Sequence, residues 1–152
     1  MKENLLLEIL LEEEGYLFND FKLNDKVIDH ILINNTGIFV IASRTYKKCL
    51  VGNAEDDYFE EIRYRKSKVQ QIPNPVKEND ANCYNLASLL DGVSSYMVNL
   101  VVFMNNNCDF VDSDNCINLE DVDDLINSFD EVYSDEEVYK IVEILQEHLE
   151  KE

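Results

Sequence analysis

The chain has little glycine, proline or histidine: four, two and two residues out of 152. Glycine and proline are scattered, no low-complexity tract or internal repeat interrupts the sequence, and a single domain over residues 1–152 with one substantial core is expected. The four cysteines, Cys49, Cys83, Cys108 and Cys116, form no CxxC pair, and only His30 and His148 could complete a zinc set, so free buried thiols are expected. A Gly-rich phosphate loop, a GxSxG elbow and a Cys/His nucleophile pair are all missing, which removes the common signatures of nucleotide-binding and nucleophilic hydrolase folds. No apolar run reaches membrane-spanning length, and the opening residues lack the basic, apolar and small-residue succession of a signal peptide. The expectation is a soluble, cytoplasmic protein with no membrane partner.

Basic residues are absent from the whole stretch between Lys77 and Lys140. The formal net charge of −19 is therefore uneven: residues 1–77 hold 13 acids and 11 bases, net −2, and residues 78–152 hold 19 acids and 2 bases, net −17. The acidic half repels nucleic acid and favours a basic protein partner or simple solubility. Arg44, Lys47, Lys48, Arg63, Arg65, Lys66, Lys68 and Lys77 form the opposite pattern. In particular, Arg63-Tyr-Arg65-Lys66-Ser-Lys68 interleaves charge with an aromatic ring, as a strand contacting a phosphate backbone does, or as a solvated face balancing the acids of 55–61 does.

Periodicity predicts an α/β domain. Glu3 to Glu14 reads as a helix with Leu6, Ile9 and Leu10 as its core stripe, Leu5, Leu7 and Leu11 widening it, and Gly15 as its cap. Strands are expected over Tyr16–Leu23, Val27–Ile33 and Gly37–Thr45, with Cys49–Gly52 as a continuation and Tyr58–Val69 as an exposed-faced strand. Pro73-Asn74-Pro75 ends that strand and a helix follows from Val76 or Lys77 to Leu90. Tyr96–Met104 is the expected buried central strand. Asn118 is placed as the cap of an acidic helix with Val122, Leu125, Ile126 and Phe129 on its core face. Ser134 to Glu137 is a capping box opening a last acidic helix with Val138, Ile141, Val142, Leu145 and Leu149 at core spacing.

The sixteen residues DHILINNTGIFVIASR, Asp29 to Arg44, carry the most specific signal. Two apolar runs flank Asn34-Asn35-Thr36-Gly37, a turn rich in residues that tolerate positive φ. An acid opens the first strand and a base closes the second. Together with Glu3, Val27-Ile28-Asp29-His30-Ile31, Gly37-Ile38-Phe39-Val40-Ile41, Val51-Gly52, Asn74-Pro75-Val76 and Val101-Val102-Phe103, the hairpin resembles the nuclease-related domain, a branch of the PD-(D/E)xK restriction-endonuclease-like superfamily. The resemblance implies a restriction-endonuclease-like fold: a mixed central sheet of four to five strands flanked by helices, here with two acidic C-terminal helices added.

It also implies a divalent-metal site at one end of the sheet, where an Asp and a Glu hold the ion and a Lys two residues beyond the Glu orients the attacking water. Carried over, Asp29 matches the metal-binding Asp and Glu3 the supporting Glu of the first helix. Ala42 takes the place of the metal-binding Glu, Arg44 that of the Lys, and Glu78 that of a Gln after the Asn-Pro pair. Losing one of two close carboxylates removes an inner-sphere ligand from a hard cation, and Arg presents a wide planar fork where Lys presents a point charge. The expected outcome is a degenerate metal site and a binding function, with nucleic acid held on the basic face of residues 44–77 or a basic protein held by residues 78–152. Two alternatives stand beside it: a Mg²⁺- or Mn²⁺-dependent nuclease with a relocated carboxylate pair, Asp29 and Glu78, and an acidic module that mimics nucleic acid.

Each of these residues also has a plainer role. Asp29 suits a strand end satisfied by backbone donors, Glu3 a helix start favoured by the dipole, and His30 points away from Asp29 by strand alternation. Asp112 to Glu120 begins like a calcium loop, but Ile117 and Asp123 stand where Gly and Glu are required, and a solvated loop with a helix cap explains it better.

Overall fold

The computed structural model describes residues 2–62, 70–91, 93 and 96–151, with side chains from Leu5 onward. Helix α1 (Lys2–Glu12) precedes strands β1 (Tyr16–Leu23), β2 (Lys26–Asn34) and β3 (Gly37–Arg44). The short strands β4 (Leu50–Asn53), β5 (Tyr58–Glu61) and β6 (Gln71–Pro73) follow, then helix α2 (Pro75–Leu89) and strand β7 (Met97–Phe103). Strands β8 (Val111–Asp112) and β9 (Cys116–Asn118), a 3-10 turn at Leu119–Asp121, and helices α3 (Val122–Ile126) and α4 (Asp135–Glu150) complete the described chain. The protein is α/β, with a mixed five-strand sheet in the order β1-β2-β3-β7-β9 and a four-strand sheet in the order β6-β5-β4-β8.

Strands β1, β2 and β3 form an antiparallel meander, and β3 then pairs with β7 in parallel from Ile38↔Met97 to Arg44↔Phe103. A parallel pair needs a long crossover, and α2 supplies it. The start of α2 is fixed by Asn74, whose side chain accepts from Val76 N at 2.9 Å while its amide donates to the carbonyls of Ala54 and Asp56. Pro75 at the first helical position needs no donor partner there. Lower on the helix, buried Asn79 donates to Val40 O at 2.9 Å and to Asn99 Oδ1 at 2.8 Å, and Asn99 donates back to Val76 O at 3.0 Å. Two asparagines thereby pin the helix across the middle of the sheet.

The unbroken apolar run of β3 is buried on both faces, as a central strand requires. Ile38 and Val40 pack with Leu86 of α2 and with Ile141, Val142 and Leu145 of α4. Phe39 and Ile41 pack on the opposite face with Leu6 and Leu10 of α1 and with Val122 and Ile126 of α3. Ala42, Leu50, Phe59, Val76, Val101 and Phe103 belong to a third cluster that joins the two sheets.

Several expectations change in detail. Cys49–Gly52 does not extend β3; its residues enter a second sheet as β4, pairing with β5 and β8. The long strand expected over 58–69 is seen over Tyr58–Glu61, and residues 63–69 lie outside the described residues, among them Arg63, Arg65, Lys66 and Lys68. Of the four turn residues between β2 and β3, only Gly37 has positive φ, at 150°; the two-residue turn with positive φ throughout is Asn24-Asp25, at 52° and 64°, between β1 and β2. Gly15 lies beyond the end of α1, and its φ of 130° lets the backbone pass so close to Ile33 O that a Cβ would clash. Asn118 makes no side-chain cap: its Oδ1 accepts from Cys108 N at 3.0 Å and its amide donates to Asp109, so the side chain is consumed by the preceding loop. The capping box at Ser134 and Glu137 is formed in both directions. Leu5, Leu11 and Leu149, expected in core stripes, are exposed, and Phe129 lies past α3, its ring edge-on to Phe39.

All four cysteines are free, and burial pushes the thiols of Cys83, Cys108 and Cys116 up to about 12, 11 and 12, so they stay protonated and unreactive at neutral pH. Among the described residues no helix is long and apolar enough to cross a membrane.

The C-terminal end of α1 meets α3 through an acidic contact. The Asn127 amide donates to the two carboxylate oxygens of Glu13 at 3.5 and 3.3 Å and to Asp123 Oδ1 at 3.0 Å. Burial, then the adjacent Asp123 carboxyl, raises Glu13 from the ordinary 4.5 to about 7; Glu12 adds to the rise and Asn127 opposes it. The folded chain therefore holds a proton that the unfolded chain releases between these values. That contribution to stability is full below pH 4.5 and is lost as pH rises through 7. Glu13→Gln is expected to flatten the dependence of Tm on pH across this window and to raise Tm at pH 8 relative to the unsubstituted chain. An unchanged profile in calorimetry would exclude the shared-proton contact.

Candidate functional site

Parallel pairing of β3 with β7 brings the carboxyl ends of both strands to one edge of the central sheet, Arg44 beside Phe103, and Met104 N donates to Arg44 O at 2.9 Å. Because β2 runs antiparallel to β3, its amino end arrives at the same edge, and the register that pairs His30 with Ile41 brings Asp29 level with Ala42. Open α/β sheets place ligand sites at the carboxyl ends of their strands. Asp29, Ala42 and Arg44 thus sit where such a site belongs.

The β1–β2 ladder pairs Asn19 with His30 and Phe21 with Ile28 but omits Asp20 and Asp29, and Asp20 has φ of 51°. Freed from that ladder, Asp29 turns its carboxylate toward β3. Oδ2 accepts from Ser43 N at 3.0 Å and from the Ser43 hydroxyl at 3.4 Å, and it lies 3.4 Å from Arg44 Nη1. The same Arg44 nitrogen donates to Ser43 O at 2.9 Å, so the guanidinium is braced by the backbone of its own strand. About a third of each side chain is exposed, 32% for Arg44 and 33% for Asp29, and water screens the pair. Asp29 therefore has the donors expected of a strand-end carboxylate, including a backbone N–H, and an ion-pair partner besides.

Ala42 is almost fully buried and belongs to the cluster that joins the two sheets, with Leu50, Phe59 and Val76. An apolar core has closed over the position where a second carboxylate would sit. Glu78 is exposed in the first turn of α2. It and Arg44 both act on Tyr46, whose hydroxyl is raised to about 12 chiefly by burial, with Arg44 lowering it and Glu78 raising it. Glu78 is thus within electrostatic reach of the Arg44 end of the sheet. Glu3 lies in the first turn of α1, which packs on the opposite face of the sheet from α2; its side chain is outside the described set. His30 faces away from Asp29 and its Nδ1 is 2.7 Å from Asn19 Oδ1. Among the described residues, no three His, Cys, Asp or Glu side chains are grouped to hold a metal ion, and the segment with calcium-loop character instead forms β8, β9 and the 3-10 turn.

Lys47 and Lys48 are exposed just beyond the end of β3. The backbone that carries them is clamped: Tyr46 O accepts from Asn105 at 2.8 Å and from Asn107 at 2.7 Å, and Lys48 O accepts from Asn107 at 3.1 Å. Lys77, by contrast, pairs with Asp57 at 2.8 Å. Ser43, Tyr46, Asn105 and Asn107 were not singled out by their sequence, although Asn105-Asn106-Asn107 directly after an apolar strand marks the loop that holds the lysines.

The family model described as nuclease-related domain matches residues 2–104, which include α1, the β1–β3 meander, α2, β7 and the Asp29–Arg44 edge. No curated protein and no solved structure matches the chain. That match takes in 103 of the 152 residues, about two-thirds, and its span contains β2, β3, α2 and β7, so the chain belongs to the nuclease-related domain family.

Proposed function

We propose that this protein is a nuclease-related domain whose metal site has been replaced by an ion pair and whose sheet edge binds nucleic acid without cleaving it by the usual two-carboxylate route. The observation that carries the proposal is the commitment of Asp29 to Ser43 N–H and Arg44 beside a buried Ala42. A hard divalent cation needs several anionic or neutral oxygens and gives up its water reluctantly. The donors found here are one carboxylate already neutralised by a guanidinium, with an alanine where its companion would stand, and they do not fit such an ion. The cationic groups this pairing leaves at the edge are Lys47 and Lys48 on a clamped loop. Phosphate contacts from such residues supply sequence-independent affinity through counterion release.

The meander, the crossover helix and the parallel fourth strand support a restriction-endonuclease-like core, with β9, α3 and α4 as additions; residues 116–152, which include them, hold 13 acids and 2 bases. Charge of one sign on those additions orients a polyanion toward the β3–β7 edge. The net charge of −17 over residues 78–152 also favours the reading in which a basic protein, or a protein that otherwise binds nucleic acid, docks on the acidic half.

Retention of labelled DNA or RNA is expected at about 20 mM salt, fading as ionic strength rises and the Debye length shortens. Lys47→Gln with Lys48→Gln should lower affinity for all sequences alike and reduce the salt slope by about 2. Asp29→Ala frees the Arg44 guanidinium and should leave that affinity unchanged or tighter. A protein that binds no nucleic acid at low salt, but captures a basic partner whose binding is competed by DNA, would move the function to the acidic half.

Calorimetric titration with Mg²⁺ or Mn²⁺ at millimolar concentration is expected to show no site. Binding of either ion that disappears in both Asp29→Ala and Glu78→Ala would instead establish the relocated metal-dependent nuclease.

A further inference from the structure

The loop that supplies Asn105 and Asn107 runs on to Phe110, a large apolar residue that is nonetheless 61% exposed. Phe110 lies on the boundary between two clefts. On one side it lines a hollow of about 430 Å³ together with Lys47, Lys48, Cys49 and Ile62. On the other it borders a cleft whose charged lining, among the described residues, is Asp56, Asp57, Glu60 and Asp112. Phe110 therefore borders both a hollow lined by two lysines and a cleft whose described charged residues are acidic. Its position does not depend on a free loop: Val111 N donates to Cys108 O at 3.0 Å, Val111 and Asp112 pair with Gly52 and Asn53, and Ile62 N donates to Cys49 O at 2.9 Å.

We infer that Phe110, Lys47 and Lys48 form a subsite for an unpaired nucleobase and its flanking phosphates, so that the ligand of this edge is single-stranded nucleic acid. The inference deepens the nucleic-acid reading above and rests on it. Every base has a π-face, and stacking on an exposed aromatic side chain is a sequence-tolerant way to hold a single strand beside basic residues. A base within a duplex is already stacked and cannot offer that face. The two lysines that share the hollow with Phe110 supply phosphate contacts, and the carboxylates of the neighbouring cleft disfavour a phosphate backbone there, which directs the strand to the lysine side. Asn107 joins the two halves of the subsite, since its amide holds the carbonyls of Tyr46 and Lys48 while its own loop presents Phe110. Phe110 lies beyond residues 2–104 and so outside the matched family region.

The chain contains no tryptophan, so Phe110→Trp introduces a single indole as a reporter at the proposed stacking position. Titration of this variant at low salt with an oligothymidylate of about twelve nucleotides is expected to quench its emission. An abasic deoxyribose-phosphate strand of the same length should bind by anisotropy and leave the emission unchanged. Phe110→Ala should weaken oligothymidylate binding about tenfold, the value of one stacked base, and leave abasic-strand binding unaltered. Lys47→Gln and Lys48→Gln should weaken both ligands equally. Binding of oligothymidylate without quenching, or equal losses for the two strands in Phe110→Ala, overturns the stacking subsite and leaves the nucleic-acid reading standing. No binding of either strand by the unsubstituted chain overturns both. Because Phe110 is exposed, circular dichroism of each variant should match that of the parent.

Discussion

Strands β3 and β7 must run side by side in parallel, and most of what is distinctive about this protein follows from how that pairing is secured. Parallel ladders cannot be closed by a tight turn, so 52 residues, from Thr45 to Tyr96, separate the end of one strand from the start of the next. The chain uses this interval to build β4, β5 and β6 and then returns through α2. Asn79 and Asn99 hold that helix to the sheet by satisfying one another and two carbonyls, Val40 O and Val76 O, which would otherwise be buried beside unpaired polar groups. Removing either amide leaves its partner's groups unsatisfied in the interior, a cost of about 1–3 kcal/mol for each group. With the helix pinned, the carboxyl ends of β3 and β7 are level, and the loops that follow them, 45–49 and 104–110, rise together. The asparagine clamp between those loops can form only because the strands beneath are in this register.

The same register determines what happened to the candidate metal edge. On β3, alternation puts Val40, Ala42 and Arg44 on one face, and Val40 is already beneath α2. Position 42 therefore faces the junction where Leu50, Phe59 and Val76 converge, and an alanine there completes packing between the two sheets. A carboxylate at that point would need either a metal or another cation to repay its desolvation. Beside Ala42, the donors that Asp29 meets are Ser43 N–H and Arg44. Glu78 remains at the surface near Tyr46 and adds negative potential there without entering the Asp29 contact.

Much of the framework was legible in the amino-acid order because local chemistry and the final fold agree there. The eight residues of β1 coincide with their expected span, the double-buried character of β3 follows from its unbroken apolar run, and Ser134 with Glu137 caps α4 as their spacing indicates. The second sheet was less legible. Its strands β4, β5, β6 and β8, like β9 at the edge of the first sheet, are two to four residues long, too short to show a period, and the pairing of β4 with β8 joins segments distant in sequence. Asn118 shows the same difficulty in one residue: its sequence context is that of a helix cap, while its side chain is required by Cys108 and Asp109 ten and nine residues away. At the edge, the roles of Asp29, Ala42 and Arg44 could be aligned by resemblance, but the contact of Asp29 with Ser43 N–H depends on a ladder interruption at Asp20 that no residue pattern announces.

Two kinds of electrostatic contact meet in this small fold, and their difference explains how an acidic protein can retain a cationic edge. Where the end of α1 meets α3, the carboxyls of Glu13 and Asp123 approach one another, and burial together with that neighbour raises Glu13 to about 7, so that it takes up a proton as pH falls through that value. Elsewhere acids are paired with bases: Asp29 holds Arg44 at the β3–β7 edge, and Asp57, just before β5, holds Lys77 of α2. Such pairs contribute little to stability at this exposure. Their consequence is spatial, because they consume Arg44 and Lys77 and leave Lys47 and Lys48 as the exposed cations on the clamped loop. Screening confines the influence of the distant acids to roughly 8 Å at physiological ionic strength. On the proposed reading, a polyanion repelled by the C-terminal half at long range is held locally at the sheet edge, by lysines whose backbone is fixed to the loop that presents Phe110.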